Sequence, residues 1–421
     1  MMMLRRVMLA VFLTAGGVRA EVEAPRTIVA TLSEMVELLE SRGFPSKVEE
    51  ASQAAMEAVA RTLDPRSRFV TAEEVERERL RRSGTMPHAG VTLSISNGVP
   101  FVQRVLAGSS EEEGSQLLPG DWLLAVDGVA VTNRPLPVTR RLLRGSEAGQ
   151  ARVVVSRMDN GTASMLTVAV ERVSGEVPAI ETAERLPRDL GYILLNGIYP
   201  ASGMDVVMRL REWTETGAVG LILDLRGAGG GDAASAASIA GVFCPGGTLL
   251  GSFRDRQDQD VSVHRSPASN PVKVPGILLV DEETYGQAEI LAAVLKDAAP
   301  GVLVVGESTS GDLNLREPVQ LPGGERLWIA TRKLVTATGR TYDGREGVEP
   351  DLVAPSVPTA EPFFEPSLEP GRREVLEVER TDTALRRRTR GDAALRLATD
   401  ILIGLNALDF SSGGGAAGSG M

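Results

Sequence analysis

The residue types able to do chemistry fall in three short stretches of the 421-residue chain. In the first, Leu223-Asp224-Leu225-Arg226 runs into Gly227-Ala228-Gly229-Gly230-Gly231, a turn whose backbone amides can donate to a carbonyl oxygen or a carboxylate. The second, Val280-Asp281-Glu282-Glu283-Thr284-Tyr285-Gly286-Gln287-Ala288-Glu289-Ile290, opens a helical segment and adds the Gln287 amide to the same donor set. The third, Gly306-Glu307-Ser308-Thr309-Ser310-Gly311-Asp312-Leu313, carries Asp312 four residues before Arg316. These two charges can form an ion pair, of little energetic value if it is a solvated loop pair. His88 and His264 are the only imidazoles, and both read as surface residues, one in a strand-rich region and one in a polar loop. Cys244 is the only cysteine, so no intramolecular disulfide is possible, and it reads as a buried thiol. With no cluster at metal-ligand spacing, neither a metal nor a cofactor is expected.

The elements that must position these stretches follow from the hydrophobic pattern. Helical periodicity runs through 26–82, with Leu32, Val36, Leu38 and Leu39, then Ala55, Val59 and Leu63 before Asp64-Pro65. From 88 to 172 short alternating segments take over, among them 91–95, 100–102, 122–126 and 152–155. Continuous apolar runs at 191–195, 220–225, 276–280 and 302–305 alternate with helical segments at 203–215, 232–243 and 286–297, which predicts strands covered on both faces. Residues 355–370, rich in proline and glutamate, predict a linker through 391, followed by an amphipathic helix over 392–408 with Leu395, Leu397, Ala398, Ile401 and Leu405. The Gly/Ala/Ser-rich 409–421 is expected to be disordered. Arg5 and Arg6, the apolar run 7–15 and Val18-Arg19-Ala20 predict a cleaved export signal over 1–20, too short to span a bilayer. The composition, 43% hydrophobic and 24% charged, is that of a globular protein, and a net charge of −11 opposes binding to nucleic acid.

Several segments in order resemble the C-terminal processing (tail-specific) serine peptidases. Arg61-Thr62-Leu63-Asp64-Pro65-Arg66-Ser67 is similar to the segment before that family's PDZ domain. Leu118-Pro119-Gly120-Asp121-Trp122-Leu123-Leu124-Ala125-Val126-Asp127-Gly128 resembles its PDZ signature. The aspartate-leucine-arginine turn at 224–231 and Gly347-Val348-Glu349-Pro350-Asp351 resemble landmarks of its peptidase core, and the resemblance runs from about residue 30 to 405. It implies a multidomain α/β protein: a helical region at 21–84, a PDZ domain at 85–175 and a crotonase-like α/β core at 176–355. It also implies a peptide-binding groove at Ala89, Gly90, Val91, Leu93 and Ile95, where an extended polypeptide end adds as a strand.

In the family a serine nucleophile gives its proton to a lysine kept neutral by burial. The resemblance places Gly286 at the serine, Asp312 at the lysine and Arg316 at a neighbouring glutamine, so all three side chains differ together. Residues 298–332 contain no lysine, and shifting the alignment restores none. Gly230 and the Gln287 amide remain as an oxyanion-like pair. The expectation is an exported protein, with no membrane span in the mature chain, that binds polypeptide C-termini or unfolded segments without cleaving them. The alternatives are an active endopeptidase using Thr284 or Ser310, and a structural envelope protein with both grooves closed.

Overall fold

The structure, a computed structural model, describes residues 28–43, 48–106, 117–145, 149–159, 161–267, 270–321, 324–342, 344–355 and 373–408. The expected signal at 1–20 and tail at 409–421 lie outside them. Residues 1–59 and 60–421 form two compact units. The first carries α1 (Ile28–Ser41) and most of α2 (Val48–Leu63), and exposes Met35, Leu38, Met56 and Val59.

The second unit begins with β1 (Arg68–Val70) and α3 (Ala72–Arg82). Helix α3 is started by a capping box: Thr71 Oγ1 accepts from the Glu74 amide at 3.1 Å, and Glu74 accepts from the Thr71 amide at 2.8 Å. The strand-rich region contains β2 (Thr85–His88), β3 (Val91–Ser96), β4 (Val99–Val105), β5 (Trp122–Val126), β6 (Val129–Ala130), α4 (Leu136–Arg144), β7 (Gly149–Asp159) and β8 (Thr162–Glu176). Its antiparallel sheet has the order β2-β8-β7-β5-β4-β3, with β6 on β5.

The following region contains β9 (Ile180–Leu186), β10 (Leu190–Leu195), β11 (Gly197–Ile198), α5 (Ser202–Glu215), β12 (Gly220–Asp224), β13 (Gly229–Gly230) and α6 (Ala233–Phe243). It continues through β14 (Leu249–Arg254), β15 (Asp260–Arg265), β16 (Gly276–Val280), α7 (Gly286–Ala298), β17 (Val302–Gly306), β18 (Leu315–Gln320), β19 (Arg326–Thr336) and β20 (Leu352–Val353). The central sheet runs β20-β17-β16-β12-β10-β9 and is parallel except for β9. Because successive strand residues point to opposite faces, Leu221 and Leu223 pack with α5, α6 and α7, whereas Ile222 faces the other side. That other side is covered by α9 (Ala393–Ala407) and by the apolar interior of the strand-rich region, in one continuous core with Leu93, Val102, Leu123, Leu395 and Leu402. The two regions therefore share a core rather than standing as separate bodies.

Two features depart from the sequence expectations. A helix, α8 (Arg373–Arg388), occupies the second half of the expected linker, with Leu385 buried; residues 356–372 lie outside the described residues. A second antiparallel sheet, β1-β19-β14-β15 with β18 on β19, was not expected. Its strands interrupt apolar residues with charged and polar ones, as Asp260 to Arg265 and Leu315 to Gln320 do, unlike the wholly apolar and buried Gly276 to Val280. Among the described residues no helix is long and apolar enough to cross a membrane.

Candidate functional site

The site forms where β12 ends. Asp224 and Arg226 are fully buried and hydrogen-bonded to each other, and beyond them the chain turns at Gly227, whose amide donates to Asp281 at 2.9 Å. The next residues meet the start of α7: the Tyr285 amide donates to the Ala228 carbonyl at 3.0 Å. Gly286, the first residue of α7, has φ +56°, and a Cβ there would lie 2.9 Å from the Gly230 carbonyl oxygen. Glycine is thus favoured at 286 by both its backbone conformation and the close approach. Gly230 is held as tightly, at φ +103°, where a Cβ would lie 2.2 Å from the Ile198 carbonyl. Gln287 is buried in the first turn of α7, where backbone amides have no intrahelical acceptor. The structure therefore brings Gly230, Gly286 and Gln287 together at a helix N-terminus, with no side-chain oxygen at 286.

The second wall is organised by Glu289, one turn along α7 and wholly buried. Its carboxylate accepts from the Ser310 hydroxyl at 3.1 Å, the Gly311 amide at 2.5 Å, the Asp312 amide at 2.7 Å and the Thr309 hydroxyl. Burial pushes the Glu289 carboxyl above its usual range, against the opposing pull of these donors. Sequence reasoning gave Glu289 no role; the signal was a lone acid in the otherwise apolar helical turn Ala288-Glu289-Ile290-Leu291.

Asp312 does pair with Arg316, as the four-residue spacing allowed. The pair is not a solvated loop pair, because Arg316 is 3% exposed and its main partner is Asp64, which it meets with two contacts of 3.1 Å. Asp64 also accepts from the Ala330 amide at 2.9 Å. Burial disfavours the Asp64 charge, but Arg316 and the backbone donors outweigh it and hold the carboxyl below its usual range.

The alternative nucleophiles are differently placed. Thr284 is sealed from solvent, its hydroxyl donating to the Leu225 carbonyl at 2.9 Å. Ser310 lies at a cavity wall, and its hydroxyl donates to the Glu289 carboxylate, whose oxygens also accept from three other donors. Lys296 binds Asp351 at 2.8 Å and Lys333 binds Asp258 at 2.7 Å, so neither faces Gly286.

Both histidines depart from the surface positions expected of them. His264 is half-buried on β15, edge-on to Phe253 at 5.8 Å, because its strand folds back on β14. His88, half-buried on β2, accepts the Gly90 amide at 2.9 Å. Cys244 is buried, which pushes its thiol up to about 11.

The expected groove at Ala89, Gly90, Val91, Leu93 and Ile95 is closed in this structure. All five residues are buried. Strand β3 is the last in its sheet, but its outward Leu93 amide donates to Glu181 at 2.9 Å, and Asn196 steadies the other Glu181 oxygen at 2.8 Å. The Gly90 amide, expected to hold a terminal carboxylate, is taken by His88. A cavity of about 30 Å³ lies between β3 and α4, with Val91, Leu93 and Leu143 in its wall.

The pattern of Peptidase family S41 matches residues 189–354, which hold the glycine turn, Gly286 and Asp312. The chain is 24% identical over 312 residues to a carboxyl-terminal-processing protease of Picosynechococcus, covering 74% of each chain. It is 22% identical over 295 residues to the carboxy-terminal processing protease CtpA of Bacillus subtilis, covering 69% of this chain and 61% of that one. A solved photosystem II D1 C-terminal processing protease aligns with TM-score 0.45 and 22% identity, over 79% of this chain and 88% of its own. Residues 189–354 thus carry the pattern of Peptidase family S41, and the chain is similar over most of its length to carboxyl-terminal-processing proteases.

Proposed function

We propose that this protein is an exported, non-cleaving member of family S41 that binds extended or C-terminal segments of polypeptides. The observation that carries the reading is Gly286: at the start of α7, against the Gly230 carbonyl, the chain has no hydroxyl from which to attack. Asp312 and Arg316 support it, since they fill the neighbouring space with an ion pair where a neutral amine would be needed. The strand-rich region, read as PDZ-like from its antiparallel sheet with α4 against β3, would take peptide once Glu181 leaves the Leu93 amide. The crotonase-like reading of the core rests on its layered β and α order. The export reading rests on residues 1–20.

The protein from residue 21 onward is expected to leave denatured proteins and C-terminally tagged peptides intact, as followed by mass spectrometry of the termini. Cleavage that survives repurification and disappears in Ser310→Ala would replace this reading with the displaced-nucleophile one. The double change Gly286→Ser with Asp312→Lys is also expected to give no cleavage in the same assay. The serine Cβ meets the Gly230 carbonyl, and the new lysine lies beside the buried Arg316 cation.

A further inference from the structure

A cavity of about 940 Å³ opens beside the site, between α4, the α3 end and the 310–312 segment. Its lining contains six arginines and three carboxylates, in a chain whose net charge is −11. The carboxylates are already matched: Glu283 by Arg141 at 2.7 Å, Asp127 by Arg172 at 2.7 Å, and Asp312 by Arg316 from outside the lining. Four guanidiniums remain, those of Arg66, Arg81, Arg140 and Arg144, with no carboxylate in ion-pair reach among the described residues.

Their contacts are to neutral groups. Arg140, buried, donates to the Leu195 and Arg226 carbonyls at 2.5 Å each. Arg144 donates to the Asn196 side chain at 2.8 Å. Arg66 donates to the Gly344 carbonyl at 3.0 Å and to that of Ser310, and Arg81 stacks on Tyr285, 4.5 Å from its centroid. Carbonyls and rings orient a guanidinium without neutralising it, and like charges held together in a partly desolvated wall disfavour the empty state. Burial, and after it the charge of Arg140, pulls the Arg144 guanidinium below its ordinary value. An anion entering here would gain bidentate, charge-assisted hydrogen bonds from donors already fixed in place. The volume exceeds what a single small oxyanion fills, and the wall reaches Gly227, Tyr285 and Ser310, beside Gly286.

We propose that this cavity is the recognition site for the acidic part of a bound polypeptide, a short run of aspartate or glutamate side chains, leading the chain to the place where Gly230 and Gly286 meet. The inference rests on the peptide-binding reading and narrows it to a substrate class. Acidic ligands are repelled by the rest of the surface and attracted at this mouth, so charge also sets their orientation.

The test uses the protein from residue 21 onward and fluorescein-labelled peptides of one length, with Asp/Glu, the isosteric Asn/Gln, or Lys at the variable positions, followed by fluorescence anisotropy. The acidic peptide is expected to bind at least about tenfold tighter than its amide counterpart, with the gap closing between about 0.05 and about 0.5 M salt. Arg81→Gln, at an exposed position, and Arg144→Gln are each expected to weaken the acidic peptide about fivefold or more and leave the amide peptide unchanged. Equal binding of acidic and amide peptides overturns the inference while leaving peptide binding in place. Binding of none of the three removes the peptide-binding reading itself. Inorganic phosphate that displaces the acidic peptide at comparable concentration also overturns the proposal, because it marks a small-oxyanion site.

Discussion

Replacing Arg226 with alanine is expected to destabilise residues 60–421 by about 5 kcal/mol or more at pH 7. Arg226 is 2% exposed and joins Asp224 at 2.6 Å to Asp392 at 2.8 Å, while Tyr192 donates to Asp224 at 2.9 Å. Removing one partner of a buried pair costs about 3–5 kcal/mol, because the remaining charge is left unneutralised. Here two carboxylates are stranded, and the loss reaches the roughly 5–15 kcal/mol that separates folded from unfolded in an ordinary domain. The dependence on pH separates this cause from a simple cavity. Burial opposes the Asp392 charge, but Arg226 outweighs it and lowers its pKa, so its stabilisation is present above the unfolded value near 3.9 and is lost as pH falls through the folded value. Without Arg226 the largest of the influences that oppose burial is gone, leaving the Leu395 amide and the Arg388 charge, and Asp392 takes up a proton more readily. Urea unfolding at pH 7 and pH about 4.5 should show the deficit of the variant narrowing at the lower pH. A constant deficit would mean that the loss is one of packing.

Asp64→Asn is expected to destabilise by about 3 kcal/mol or more, and Asp312→Ala by about 1 kcal/mol or less, although both contact Arg316. Asp64 is buried and supplies two contacts to the guanidinium, and also accepts the Ala330 amide. Asp312 is 30% exposed, and its loss leaves the Asp64 contacts in place. Because the folded-state pKa of Asp64 is depressed, the difference between wild type and Asp64→Asn should be full above about pH 4 and fade as the pH drops through the folded value. Thermal melts of the two variants decide the point. The reverse ranking would make Asp312 the structural partner and Asp64 a bystander.

The central sheet was legible because strands covered on both faces leave unbroken apolar runs, as at Gly276 to Val280. The glycine turn and the α7 start were legible from local sequence as well. What escaped was set by distance or by charge. Arg316 finds Asp64 across 252 positions, and no local pattern announces such a pairing. Helix α8 carries Arg386, Arg387 and Arg388 in its last turn and follows a proline-rich stretch, so its composition reads as solvated, yet Arg388 reaches Glu184 and its neighbour in the fold, Leu385, is buried. The closed groove escaped because its plug, Glu181, belongs to β9 and is 88 positions from the Leu93 amide it holds.

The link from Arg226 to Asp392 also sets an order of events during synthesis. The two residues are 166 positions apart, and at roughly 5–20 residues per second the aspartate emerges about 8–33 s after the arginine. Through that interval the central strand has been made but its buried cation lacks one of its two counter-charges, and the cap that starts α9 does not yet exist. A nascent chain stopped before residue 392 therefore holds this sheet open to chaperones and proteases, and the last helix acts as the latch that commits the whole second unit to its native state.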